Sequence, residues 1–157
     1  MGCPFMISIG QRGNPPRPVY LAHVPSLEAV VELSFPRQVF TTLLCADAEG
    51  AAVELVSRSV DHLIDGGCRG FSAWGPDCER VHDIFDETLC DPDTGRALPF
   101  ISTTWHTEDS LEEAIWFVLH RLNQEGALAD NYATVVLTVG DAEWRTQAEQ
   151  ALKHPDV

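Results

Sequence analysis

Four times in this chain of 157 residues a β-rich run is followed by a helical stretch, three of them with an apolar stripe at helical spacing. The runs are 38–46 (QVFTTLLCA), 68–74 (CRGFSAW), 98–105 (LPFISTTW) and 132–139 (YATVVLTV). They recur at roughly the 30-residue interval of a strand–helix–strand unit. Near-continuous apolar strands suit a sheet buried on both faces, because no alternate side chain has to meet water. The helical stripes supply the cover: Val53, Val56, Val60, Leu63 and Ile64; then Val81, Ile84 and Phe85; then Leu111, Ile115, Trp116, Val118, Leu119 and Leu122. A last helix is expected over 141–153. This order predicts an α/β fold, a Rossmann-like three-layer sandwich of four to five mostly parallel strands with helices on both faces and right-handed crossovers.

Punctuation residues set the boundaries. Gly66-Gly67 reads as a helix C-terminus. Asp77 is placed to N-cap the second helix and Asp109 or Ser110 the third, with Glu112 and Glu113 in its first turn. Residues 10–18 hold three prolines and two glycines. Residues 1–18 are therefore expected to form a flexible Pro/Gly-rich arm, and 19–157 a single domain. A short strand over 19–24 and a brief helical stretch up to Leu33 complete the reading, and Trp116 is assigned to the core.

Composition limits what such a fold can do. The net charge is −14, and it is uneven: residues 1–46 carry three basic and two acidic side chains, the remainder seven and 22. A body that acidic repels phosphate backbones, which disfavours nucleic acid as a partner; a basic protein suits it. No apolar stretch reaches the ~20 residues of a membrane helix, and the N-terminus lacks a basic signal-peptide start. A cytoplasmic location without membrane contact is expected. Five cysteines (Cys3, Cys45, Cys68, Cys78, Cys90) without a CxxC pair fit reduced thiols better than a disulfide framework or structural zinc site. Cys45 and Cys68 are read as packing residues. No cofactor is expected, since dinucleotide, phosphate-loop, GxSxG and HExxH fingerprints are all missing from the sequence.

Parallel strands bring their C-terminal ends to one edge, where open α/β sheets bind ligands. The residues just past those ends are Asp47, Trp74 to Cys78, Trp105-His106 and Asp141. Cys78 at a helix N-terminus, with His106 from a neighbouring strand, would make a thiol–imidazole nucleophile, its ring oriented by Asp77 or Glu108. The plainer alternative is a Cys packed under Trp74 and a His bonded to backbone. Cys78, His82 and His106 with Asp83 or Asp86 would make a mixed metal site, but Cys-x3-His alone is a weak signal. Asp83, Asp86, Glu87, Asp91 and Asp93 form an acidic stretch that is either simply solvated or offered to a basic partner.

Ala73-Trp74-Gly75-Pro76-Asp77-Cys78, then Asp83 and Asp86, then Thr103-Thr104-Trp105-His106, Leu111-Glu112-Glu113 and Trp116-Phe117 resemble a small bacterial domain family of unknown function. Its pattern is AWGxDC, an acidic helix, and TTWH leading into LxExxWF. The resemblance covers 70–120 well and the flanks loosely. It points to Trp74, Asp77, Cys78, Asp83, Trp105, His106 and Glu113. His82 departs from it, since the family has an acidic residue there, which weakens the metal reading; the Pro-rich N-terminal segment departs as well. The resemblance implies no activity.

Two functions follow. The preferred one is an acidic interaction module, such as an immunity or accessory protein that masks a basic protein partner. The alternative is a small enzyme or ligand-binding domain built on Cys78 and His106. Sequence leaves the oligomeric state open.

Overall fold

The computed structural model describes residues 6–36, 39–98, 101–122, 131–154 and 157. Six strands form one mixed sheet: β1 (Met6–Arg12), β2 (Arg17–Val24), β3 (Phe40–Cys45), β4 (Cys68–Trp74), β5 (Ser102–His106) and β6 (Ala133–Val139). Their spatial order is β1-β2-β6-β3-β4-β5, with every neighbouring pair parallel except β1–β2. Among the described residues four α-helices cover it: α1 (Val53–Gly66), α2 (Cys78–Cys90), α3 (Leu111–His120) and α4 (Ala142–Lys153). The three-layer α/β sandwich is as the apolar runs predict, with six strands in place of four to five.

Strands β3 and β6 are buried along their whole length because helices lie on both sides. Side chains alternate between two cores. Leu44, Phe71, Ala73 and Leu137 pack with Val56, Val60, Leu63 and Phe85 of α1 and α2. Leu21, Leu43, Cys45 and Val136 pack with Leu111, Ile115, Leu119 and Leu152 of α3 and α4. Phe85 is fully buried and stacks on Phe71 at 4.2 Å; an aromatic ring removed from water in this way contributes about 2–3 kcal/mol. Trp116, assigned to the core from sequence, is 42% exposed. It follows Ile115 by one residue, about 100° round the helix, and so falls off the stripe that Leu111, Ile115, Val118 and Leu119 bury.

Residues 6–18 are not an arm. β1 and β2 form an antiparallel hairpin, and the Pro/Gly-rich segment is its turn. The turn is held by Arg17, whose buried guanidinium donates to Thr134 Oγ1, Pro15 O and Val118 O at 2.7–2.9 Å. Asn14 N–H also reaches Leu119 O at 3.1 Å. Among the helices, α1 starts at Val53, the first residue of its apolar stripe, and Asp47 before it accepts from Glu49 N–H in a local turn. Ser110 caps α3 in a reciprocal capping box with Glu113. Asp77 stands at the N-cap position of α2 but makes no side-chain cap, since its backbone is left-handed (φ 65°). β5 is shorter than the run 98–105, of which residues 99–100 lie outside the described residues. No helix among the described residues is long and apolar enough to cross a membrane.

Candidate functional site

The nominated residues converge where β4 and β5 end and α2 and α3 begin. β4 and β5 are neighbours in register, Ala73 opposite Trp105 and Trp74 opposite His106. The chain leaves β4 through Gly75, at φ 114°, where a Cβ would stand 2.2 Å from Ala46 O. Only glycine fits this approach. Ala46 N–H to Trp74 O and Ala48 N–H to Pro76 O, each 3.1 Å, tie the exits of β3 and β4 together. The start of α2 is thereby positioned.

Cys78 and His106 meet, but through the backbone. The Cys78 thiol is buried, and that burial pushes its pKa above the ordinary value, against backbone N–H groups of His106, Cys78 and Glu79 that favour the thiolate. The His106 ring turns elsewhere. Its Nδ1 lies 2.6 Å from Asp109 Oδ2 and its Nε2 3.1 Å from Thr104 Oγ1, which lies 2.6 Å from Ser72 Oγ. A carboxylate only accepts, so Nδ1–H donates to Asp109. Phe117 covers the ring edge-on at 4.7 Å, leaving the side chain 7% exposed. Trp74 Nε1–H donates to Asp109 O at 2.8 Å and fixes the loop that carries the carboxylate.

A second network lies on the opposite face of β5, because successive strand residues point to opposite sides. Thr103 and Trp105 face α2. Thr103 Oγ1 donates to Asp86 Oδ1 at 2.9 Å and lies 3.0 Å from His82 Nε2. His82 Nδ1 lies 3.0 Å from Asp83 Oδ1, and the imidazole packs against the indole of Trp105 at 4.5 Å. Trp105 is 42% exposed, and the carboxylate side chains of Asp83 and Asp86 are 62% and 45% exposed beside it.

Residues 19–155 match the model of a family described as a domain of unknown function, DUF7684. The chain belongs to that family. The resemblance read from the Trp-Gly and Thr-Thr-Trp-His segments is likewise to a family without a known activity. No curated protein matches the chain.

In this DUF7684 domain the nominated residues fall into separate groups. Cys78 is buried under α2 on one face of the sheet, buried His106 and half-buried Trp74 lie on the α3 face, and Asp83, Asp86 and Trp105 share the open surface. Asp77 faces Arg80 at 3.5 Å, whose guanidinium also reaches Ala48 O and Ala51 O. Glu113 is engaged in the α3 capping box, and Glu108 is exposed in the turn before it. Asp47 lines a different crevice, at the exits of β2 and β6. The mixed set Cys78, His82 and His106 is divided by the sheet, and among the described residues no three His, Cys, Asp or Glu side chains are grouped to hold a metal.

Sequence reasoning misses Asp109 and Thr104 as the partners of His106, with Ser72 behind Thr104, and His82 with Thr103 as the joint between α2 and β5. Strand alternation separates Thr103 and Trp105 from Thr104 and His106. The His106–Asp109 spacing was the available signal for their pairing.

Proposed function

We propose that this domain is an acidic protein-binding module that receives an extended, basic segment of a partner along the outer edge of β5. The observation that carries the reading is the composition of that edge. Among the described residues no strand pairs with it. Beside it stands a half-exposed Trp105, braced from behind by His82 and rimmed by the carboxylates of Asp83 and Asp86. A sheet edge offers main-chain hydrogen bonds to an added strand, and side-chain pockets beside it confer choice. A braced indole is a typical anchor at such contacts, and exposed carboxylates steer a basic partner into place. The excess of acidic side chains after residue 46 acts in the same direction. An accessory or immunity protein masking a basic partner in the cytoplasm fits this surface.

The enzyme reading on Cys78 and His106 has less support. Both ring nitrogens of His106 already have partners, and the thiol it would activate is buried with a raised pKa.

The test uses a ten-residue alternating Lys–Val peptide as the probe, titrated into the isotope-labelled protein. Amide shifts should concentrate on Ser102–His106 and the Trp105 indole. Charge reversal of Asp83, Asp86 and Glu87, with Trp105→Ala as a separate variant, should each weaken binding by at least about tenfold, or ~1.4 kcal/mol. Unchanged affinity in the triple variant, with the fold verified by circular dichroism, would sink the proposal.

A further inference from the structure

A second place on the molecule is shaped for a ligand and has no part in the β5 edge. The connection leaving β3 runs over one face of the sheet through α1, and the chain leaving β6 turns to the other face through α4. β3 and β6 are adjacent. Their exits therefore diverge, and a crevice opens outside the carboxyl ends of the strands at this topological switch point, the position where open α/β sheets bind small molecules. It has a volume of about 410 Å³ and is bounded by the exits of β2, β3 and β6. Sites for small ligands fall in this size range.

The walls define the chemistry. Leu55, Val139 and Trp144 supply apolar surface, and Asp47, Asp141 and Glu28 supply carboxylates; among the described residues no Lys or Arg lines the crevice. Asp141 Oδ1 is used by the N–H groups of Glu143 and Trp144 at the start of α4, and Asp47 Oδ1 by Glu49 N–H. Those bonds hold the two carboxylates in place at one oxygen each. The cap on α4 also offsets the positive end of the helix, which would otherwise favour an anion. Trp144 is itself held by an edge-on contact to Trp74 at 5.1 Å. Fixed carboxylates with an indole and aliphatic side chains complement an organic cation that carries an apolar group.

We infer that this crevice binds a small amphipathic ammonium compound, its charged head between Asp47 and Asp141 and its apolar part against Trp144, Leu55 and Val139. The occupant is a free small molecule, and the site works independently of Trp105 and Asp83.

The probe is phenethylammonium, with phenethyl alcohol as its neutral counterpart, each titrated into the whole protein and followed by amide and indole NMR shifts. Shifts at Asp47, Gly140, Asp141 and the Trp144 indole are expected for the amine alone. Asp47→Asn and Asp141→Asn keep the turn and cap acceptors, so the fold is retained, and each should weaken amine binding at least fivefold. Trp105→Ala should leave it unchanged. Equal binding of the alcohol, unaltered affinity in both Asn variants, or shifts located elsewhere would each overturn the inference.

Discussion

The sheet ends in two edges, β1 and β5, and the chain treats them differently. β1 is irregular: its pairing with β2 slips between Ser8 and Gly10, and Gly10 adopts φ 106°. Arg12 beside it reaches back to Leu152 O at 2.8 Å, so its charge is spent on the fold. Bulges and inward-tied charges of this kind keep an edge from pairing with other chains. β5 pairs with β4 in unbroken register and has Trp105 and two exposed carboxylates beside it. On these features the proposal assigns the partner strand to β5 and not to β1. An edge strand is a liability unless something manages it, and this contrast is what the proposed docking at β5 rests on.

The largest perturbation on the β5 side should come from Gly75→Ala. The added methyl would meet Ala46 O in a backbone conformation that L-residues avoid. Strain and overpacking together should cost about 3–4 kcal/mol, read from urea unfolding. The corresponding change on the β1 side is Arg17→Met, which takes the donor from the Val118 and Pro15 carbonyls and leaves Thr134 Oγ1 with Thr41 alone. A loss of about 2–3 kcal/mol is expected, with peptide binding at β5 unchanged in the folded fraction. A variant that lost both equally would break the comparison, since it would make the two edges one unit.

Alkali should separate the edges more gently. Cys68, at the start of β4, is pushed up to about 11 by burial, and burial also raises the Cys45 and Cys78 thiols. An unfolded thiol ionises near pH 8.5. Below that pH both states hold the proton and these groups leave stability unaffected. Above it the unfolded chain loses the proton first, so stability falls with rising pH until the folded pKa is passed. The Cys68 contribution is about 1 kcal/mol lost between pH 9 and 10, and Cys68→Ala should flatten that part of the profile. Since all three thiols sit on β3, β4 and the start of α2, hydrogen exchange at pH 10 should loosen this half before the β1–β2 hairpin. The smallest effect belongs to the exposed rim: Asp83→Asn should alter stability by no more than about 0.5 kcal/mol while weakening peptide binding.

Much of this molecule is legible from sequence where the signal is local. The unbroken apolar runs of β3 and β6, the stripe of α3 and the glycine stop after α1 require no knowledge of what lies across the sheet. The hairpin is not legible in that way. Its prolines and glycines are the residues of a turn, and what makes 6–12 a strand is pairing with β2 together with the burial of Arg17 under α3, both set by distant partners. Trp116 illustrates the limit of a stripe: one residue out of phase turns an expected core indole outward. At the candidate site the convergence of β4 and β5 was readable once a parallel sheet was assumed. The direction of the His106 ring was not, because Asp109, Thr104 and Phe117 decide it through packing on one face of an edge strand. Asp77 shows the same gap, its residue type suiting a cap while its left-handed backbone turns the carboxylate toward Arg80.

The central claim is that β5, and not β1, is the edge that takes a partner strand. Hydrogen exchange of the backbone amides with and without the Lys–Val peptide tests it most directly. The account predicts that the β5 amides facing away from β4 become protected on binding, that those of β1 keep their free exchange rates, and that the protection fades at high salt as the carboxylate contribution is screened. Protection appearing at β1, or peptide binding with no protection at β5, would contradict it.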